Sequence, residues 1–511
     1  MLLENFDNSQ VTNTGQNSQS KPGKSSSKNV YQSGKKMNLT ATNTKTSDVS
    51  SPNIPSRYEK PAIYKLHSGL MNKFAGATPP QRRVKTEIDG VEIADLVDKF
   101  GSPLFVYSER SLRRKFRTIR NVFTTRYPDV VFGWSYKTNY LKAICAILHQ
   151  EGAIAELVSQ MEYEKAKALG IPGRKMIFNG PHKPLATLEA AVKDGVTINI
   201  DHWDEIEDLE AIATRLNKTI SVGLRLNLDV GIQPRWSRFG FNLESGQAIE
   251  AVRRIKQGGK LRLTGLHSHI GTFIMDPNAY SRQVEKMVKF GYEIEDKYGW
   301  RMDYIDIGGG FPSRSQLKGT YHSVEVMLPS IDEYADAICD ALWHNLKPGH
   351  QPTLIIESGR AVVDEAGTLI STIWASKRLP DGTPAYVADA GINLLFTNFW
   401  YRFNIALDRQ ISGISQPSVI YGPLCMNIDV IDEAISLPPL SRGDRLIISP
   451  VGAYNNTQWL QFIEYRPNIV LITEKGNIEL IREAEDLSDL ERREHLPSWL
   501  ETGDWGLGTG D

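Results

Sequence analysis

The chain has 511 residues, 41% of them hydrophobic and 23% charged, with 59 Lys and Arg against 60 Asp and Glu. This is ordinary globular composition, long enough for about two to four domains, and a net charge of −1 gives no electrostatic reason to expect nucleic acid or an anionic membrane as a partner. Cys145, Cys339 and Cys425 form neither a disulfide framework nor a ligand-spaced pair, no apolar run reaches the ~18 residues of a membrane span, and the first residues lack the charged start and apolar core of a secretory signal, so a cytoplasmic enzyme or binding protein is expected.

In chain order, residues 1–57 are rich in Ser, Asn, Thr, Lys and Gln, with Phe6 and Tyr31 as their aromatics, and read as a disordered tail that cannot bury enough apolar area to offset its ordering. Residues 58–84 read as an arm. Residues 85–112 contain the run LFVYS (104–108), a strand expected to join a later β domain. From 113 to 361 short apolar runs alternate with helical stretches that carry 3.6-residue periodicity, several of which end at glycine. The runs are VVFGWSYK, AIAEL, KMIFNG, VTINID, SVGLRLN, LTGLHSHIG, YIDIGGGF and TLIIESG. Strands alternating with helices of about 10–15 residues predict parallel βαβ units, and about eight in series predict a (β/α)8 TIM barrel. From 362 to 484 the chain is strand-rich, Gly/Pro-punctuated and nearly helix-free, which predicts a second, β-rich sandwich or barrel domain; 485–511 reads as an acidic tail.

The strand ends carry polar or glycine residues: Lys137, Glu156, Asn179, Asp201, Arg225, His269, Gly308 and Glu357. In a barrel of this kind they converge on one mouth. A lysine after a buried strand is either an ion-pair partner or a nucleophile. The run Gly308–Gly309–Gly310 is either a tight turn or a phosphate cradle. Glu357 and Arg360 in ESGR are either an internal ion pair or part of a site, and the spacing of His267 and His269 also suits zinc. Taken together, a lysine, a glycine cradle and a buried carboxylate fit pyridoxal 5'-phosphate, which needs an amine, a phosphate site and a partner for its ring nitrogen.

The motifs WSYKTN, AELVSQMEYE, IFNGP, GLRLN, SRFGF, GLHSHIGT, IDIGGGFP, ESGR, VADAGIN, GPLC and GAY stand in this order between roughly residues 90 and 480. In this the chain resembles the fold-type III pyridoxal-phosphate decarboxylases (diaminopimelate, ornithine and arginine decarboxylases), with most likeness to the diaminopimelate-type members. The resemblance implies an alanine-racemase-like barrel with a β domain, and a homodimer whose sites are shared between subunits. It implies that Lys137 holds the cofactor as a Schiff base and that His269 stacks on its ring, which demotes the zinc reading to a rival, a metal-dependent barrel hydrolase built on His267 and His269. Glu357 would face the pyridine nitrogen, while Gly308, Gly309, Gly310, Gly359, Arg360 and Tyr454 would hold the phosphate. Thr272 stands where the family has Ser, and Glu156 where it usually has Asp; Glu162 and Arg225 would complete the polar shell. Cys425 of the partner subunit would protonate the α-carbon after carbon dioxide leaves, with Asp429 paired to Arg238 across the interface. Asp389, Thr397, Tyr401, Met426 and Asp429 would face the substrate.

Two positions depart from the pattern. Met426 stands where diaminopimelate and ornithine decarboxylases carry a carboxylate for the distal ammonium, and Thr397 stands where the former carry an arginine for the distal carboxylate. A thioether cannot pair with an ammonium, and an unpaired buried charge costs several kcal/mol. The expected substrate is therefore an amino acid or diamino-acid derivative other than meso-diaminopimelate or ornithine, as in natural-product or siderophore pathways. The alternatives are diaminopimelate decarboxylation for lysine biosynthesis, a racemase-like reaction on the same barrel, and a non-catalytic homologue; retention of Lys137, Glu357, Arg360 and Cys425 speaks against the last.

Overall fold

The computed structural model describes residues 84–232, 236–320 and 324–500. The expected tail at 1–57, the arm up to residue 83 and the last eleven residues of the acidic tail lie outside them.

Eight parallel strands close on themselves: Val130–Ser135, Ile154–Leu157, Met176–Phe178, Thr197–Ile200, Ile220–Asn227, Leu261–His267, Tyr304–Asp306 and Thr353–Ser358, the last pairing back to the first. Helices lie between them. Glu109–Thr124 shows why such a segment is helical: the Ser108 hydroxyl caps it by accepting from the Ser111 amide at 2.9 Å, and Leu112, Phe116, Ile119 and Phe123 bury one stripe at helical spacing. Pro277–Tyr298 starts at an Asp276 cap with proline in its first turn and stops at Gly299 with φ 70°.

Nine further strands form a second, β-rich sheet system. Its order is Val430–Leu437, Gln416–Tyr421, Pro384–Ala388, Gly367–Arg378, Leu104–Ser108, Ile469–Ile472 and Ile478–Arg482, with Arg445–Ser449 also on Gly367–Arg378 and Asn404–Leu407 on Arg445–Ser449. Leu104–Ser108 is buried throughout, and its alternation explains why. Leu104 and Val106 face a small core with Ile93, Ile370 and Val470, whereas Phe105 and Tyr107 face the main core that continues into the barrel. A boundary drawn at 112/113 falls inside the helix Glu109–Thr124, and one at 361/362 falls inside Arg360–Val363; the chain changes layer at Ser108 and again before Gly367. Among the described residues no helix is long and apolar enough to cross a membrane.

Candidate active site

The strand ends open onto one cavity of about 550 Å³. Lys137 reaches it through a turn. The run VVFGWSYK is strand only to Ser135, and Tyr136–Thr138 is a 3-10 turn that carries the lysine over the barrel mouth. Its Nζ lies 2.6 Å from Glu156 Oε2, and its side chain keeps 34% of its surface, all toward the cavity. Burial works against the ammonium, but the carboxylates of Glu156 and Glu357 outweigh it and hold the amine above its ordinary value.

Glu357, at the end of the eighth barrel strand, is buried. Asn179 Nδ2 donates to its Oε1 at 2.5 Å and to Glu156 Oε1 at 3.1 Å, so one amide links the two acids. Asn199 Nδ2 in turn donates to Asn179 Oδ1, and the Tyr304 hydroxyl to Asn199 Oδ1, a polar chain through the barrel interior. Burial opposes ionisation of Glu357, but the His267 imidazole and the Lys137 ammonium hold its carboxyl well below the usual carboxylate range. Asp306 behaves oppositely: burial, reinforced by the Glu357 charge, holds it well above that range. His267, Asp306 and Glu357 offer ligand atoms within 4.8 Å of one another, a carboxylate set that the zinc reading of the sequence lacked. His269 takes no part in it: its Nδ1 accepts from the Gly309 amide at 3.0 Å, and Trp236 meets its ring edge-on at 5.4 Å. Burial pushes His269 down to about 3, so the ring facing the cavity is uncharged. Arg225 lies 3.4 Å from Asp201 and over the Phe239 ring.

The opposite end of the cavity suits an anion. Gly308 and Gly310 have φ of 67° and 98°, and a Cβ on Gly309 would stand 1.9 Å from the Glu357 carbonyl oxygen, so this turn requires glycine. Arg360 is buried between the rings of Tyr401 and Tyr454, with its Nε lacking any hydrogen-bond partner. A buried, unpartnered guanidinium N–H beside a glycine turn, in one cavity with an ionised carboxylate and a lysine, fits pyridoxal 5'-phosphate, which needs a phosphate site, a partner for its ring nitrogen and an amine.

Of the residues expected from sequence, Lys137, Glu156, Arg225, His269, Thr272, Gly310, Glu357, Gly359, Arg360, Thr397, Tyr401 and Tyr454 line this cavity, with Gly308 and Gly309 in the turn behind it. Glu162 stands behind the wall, accepting from the Val158 amide at 2.7 Å. Four others are elsewhere in the chain. Asp389 accepts from the Ser371 hydroxyl and the Thr372 amide, both at 2.8 Å, and so fastens the β-rich sheet rather than facing the cavity. Cys425 is exposed and Met426 half-buried on the loop Gly422–Asp429. Asp429 is buried with both oxygens engaged within its own chain, Oδ1 by the Ile392 amide and Oδ2 by the Leu424 amide, and shapes this loop from within. Arg238 lies over the Phe239 ring. Sequence reasoning missed the aromatic wall of Trp236, Phe239, Phe273 and Trp400. The run NFWY directly after a barrel-facing loop was its available signal.

A family model described as pyridoxal-dependent decarboxylase, pyridoxal binding domain, matches residues 109–364. The diaminopimelate decarboxylase of Methanocaldococcus jannaschii is 28% identical over 428 residues, covering 81% of this chain and 95% of that protein. The Bacillus subtilis enzyme of the same name is 28% identical over 420 residues, covering 79% and 94%. Among solved structures, diaminopimelate decarboxylase from M. jannaschii aligns with a TM-score of 0.74 at 26% identity, covering 82% of this chain and 99% of the other. Lysine/ornithine decarboxylase from Vibrio vulnificus, complexed with putrescine, aligns at 0.64 with 25% identity, covering 75% and 98%.

Proposed function

This chain belongs to the pyridoxal-dependent decarboxylase family and is a pyridoxal-phosphate-dependent amino-acid decarboxylase; from that premise we propose that its substrate is neither meso-diaminopimelate nor ornithine but an amino acid or diamino-acid derivative with a larger, less polar distal group. The reading includes a homodimer in which Cys425 of the second subunit serves each site as proton donor.

The observation that carries the substrate reading is how the charges in the cavity are already engaged. Among the described residues lining it, Lys137 pairs with Glu156, Arg225 with Asp201 and Arg360 with Asp364, and Glu357 accepts from the Asn179 amide. Around these groups the described lining is largely aromatic and apolar, with Trp236, Phe239, Phe273, Leu317, Trp400 and Tyr401 beside Gln458 and with Thr397 tied to Asn455 at 2.9 Å. A carboxylate placed against such a wall loses hydration without gaining a counter-charge, a cost of several kcal/mol, and an ammonium recovers only part of that cost from the ring faces.

When bound, the cofactor supplies a conjugated ring that takes up the electron pair released as carbon dioxide leaves. Lys137 Nζ must give up a proton to bind it, and Glu156 Oε2 is the base within hydrogen-bond reach. Glu357, ionised and fastened by Asn179, is placed to keep a proton on the ring nitrogen. The uncharged His269 offers a flat wall to the ring without competing for that proton. The glycine turn, Arg360 and Tyr454 would hold the phosphate, and the thiol of Cys425 of the second subunit would deliver a proton to the α-carbon.

The test is carbon dioxide release across L- and D-amino acids and conjugated diamino acids, with Lys137→Ala as the blank. Turnover of meso-diaminopimelate near ~10 s⁻¹, an ordinary enzymatic rate, would sink the proposed substrate class. It would establish instead the second reading, diaminopimelate decarboxylation for lysine biosynthesis, which the names of the relatives above favour. Carbon dioxide release also separates both from a racemase-like reaction.

A further inference from the structure

Three segments meet at the phosphate end of the cavity: the glycine turn with the stretch that follows it, the short helix Arg360–Val363, and the turn at Gly452–Tyr454. One carboxylate touches all three. Asp364 is 2% exposed. Its Oδ2 accepts from the Ser313 hydroxyl at 2.5 Å and the Ser315 hydroxyl at 2.7 Å, both just past the glycine turn, and lies 3.4 Å from Arg360 Nη1. Its Oδ1 accepts from the Ala453 amide at 3.2 Å, and its own carbonyl accepts from the Gly452 amide at 3.0 Å. The close approach depends on glycine, since a Cβ on Gly452 would lie 2.0 Å from the Val363 carbonyl oxygen.

We infer that Asp364 is the positioning residue of the phosphate cup, holding Arg360, the glycine turn and Tyr454 in one arrangement before the cofactor arrives. Each of the three groups needs such a hold. Arg360 has a flexible stem, and the Tyr401 and Tyr454 rings, 4.4 and 5.0 Å from its guanidinium carbon, fix its plane without fixing its rotation within that plane. The Asp364 bond to Nη1 sets that rotation and so the direction of the unpartnered Nε. Tyr454 sits at φ 66°, a conformation that a side-chain-bearing residue keeps only when its surroundings impose it. Its own amide is held by the Thr138 carbonyl at 2.9 Å and the preceding amide by Asp364. Four donors converging on one buried carboxylate exceed what neutralising a single arginine requires. A cup already in its bound geometry binds more tightly because less ordering remains to be done on binding.

This inference rests on the cofactor assignment, and the experiment separates the two. Full-length protein and Asp364→Asn are freed of cofactor with hydroxylamine, then titrated with pyridoxal 5'-phosphate and with pyridoxal, reading the quenching of tryptophan fluorescence; Trp236 and Trp400 line the cavity. Asparagine keeps the shape and an acceptor for the Ala453 amide. The expected result is an approximately tenfold weaker Kd for pyridoxal 5'-phosphate, ~1.4 kcal/mol, with pyridoxal unchanged. Unchanged affinity for pyridoxal 5'-phosphate, or equal weakening for both ligands, would overturn the inference. Because loss of a buried carboxylate can unfold the chain, Ser313→Ala/Ser315→Ala is titrated alongside, with an expected loss of about threefold confined to the phosphorylated ligand; no loss there overturns it too. Failure of the unaltered protein to bind either ligand would remove the cofactor assignment itself.

Discussion

Glu156→Gln tests how the site sets the charge on Lys137. Burial pushes the amine toward neutrality, and the carboxylates of Glu156 and Glu357 push it back. Glu156 is in direct contact, at 2.6 Å. A hydrogen bond to a charged group contributes ~1.5–3 kcal/mol, which at 1.36 kcal/mol per unit is about 1–2 pKa units. The bare Coulomb figure, ~4 kcal/mol or more for such a pair at an effective dielectric of ~20, is a ceiling, because solvent in the cavity screens a side chain that is 34% exposed. Glutamine keeps an acceptor oxygen in place and removes the charge, leaving Glu357 to oppose burial alone. The titration midpoint of Lys137 should fall by about 1–2 units, so that its acylation at pH 8 in cofactor-free protein, followed by peptide mass spectrometry, speeds up by ~10–100-fold. The stability effect has a definite sign. A lysine whose folded value is raised contributes stability that is complete below its unfolded value of about 10.4 and is lost as pH climbs through the folded value. The variant should therefore be less stable than wild type at pH 7, with the gap closing above about pH 10. Labelling no faster than wild type at pH 8, or a midpoint that rises, would refute the assignment of Lys137's charge to Glu156.

Mixing Lys137→Ala with Cys425→Ala protein tests the shared site: if Cys425 acts across a dimer, random reassociation yields hybrids with one intact site and restores about a quarter of wild-type carbon dioxide release, whereas a thiol acting within its own chain restores none. Lys183 and Glu205 form a buried pair at 2.7 Å, with 1% and 2% of their side chains exposed, and Lys183 Nζ also donates to the Gly180 and Asn199 carbonyls. Lys183→Met strands a buried carboxylate and should cost ~3–5 kcal/mol in urea unfolding, most of it recovered by adding Glu205→Leu; a loss below about 1 kcal/mol would mean that water reaches Glu205. Glu162 is pushed up to about 7 by burial, with the neighbouring Glu156 charge adding to it. Its protonated form is favoured on folding, so this contribution to stability is present below about pH 4.3 and is lost as pH rises through about 7. Glu162→Gln mimics the neutral acid and should flatten the decline in Tm between about pH 5 and 8; parallel declines in the two proteins would reject it.

The barrel and its mouth were legible in the sequence because a strand buried on both faces is an apolar run, and the residue that ends it must be polar to face the cavity. Lys137, Glu156, Arg225 and Glu357 follow from that rule, and the structure brings them together. Asp364 was not legible, because its partners Ser313, Ser315 and Ala453 are remote in sequence and no local pattern joins them. Asp429 shows a different limit. Its hold within its own chain was not legible, because Gly391 and Gly422 leave the room it fills: a Cβ on either would stand 2.3 Å from its oxygens. Two glycines flanking an aspartate in a turn-forming loop were a signal for an inward clamp, but one visible only once the two strands of sequence are adjacent. Asp389 has the same kind of hold, since the Ser371 and Thr372 groups that bind it lie on the neighbouring strand.

The two ends of the cavity are built from different kinds of sequence, and this bears on what family likeness can transfer. The chemical end consists of strand-end side chains whose charges are balanced within the barrel, so any substitution there exposes an unpaired buried charge. The outer end is a wall of rings, Phe273 against Tyr401 at 5.3 Å and Trp400 against Phe396 at 5.6 Å, in which one large side chain can replace another at modest cost. Reaction class therefore travels with the first set and substrate choice with the second. Met426 by itself does not identify the substrate, because a carboxylate restored there would still leave the distal group against rings, which attract a cation through their faces but offer nothing to a distal carboxylate. It is the combination of a thioether on the loop with Thr397 and the aromatic wall that argues for a bulky, weakly polar distal group.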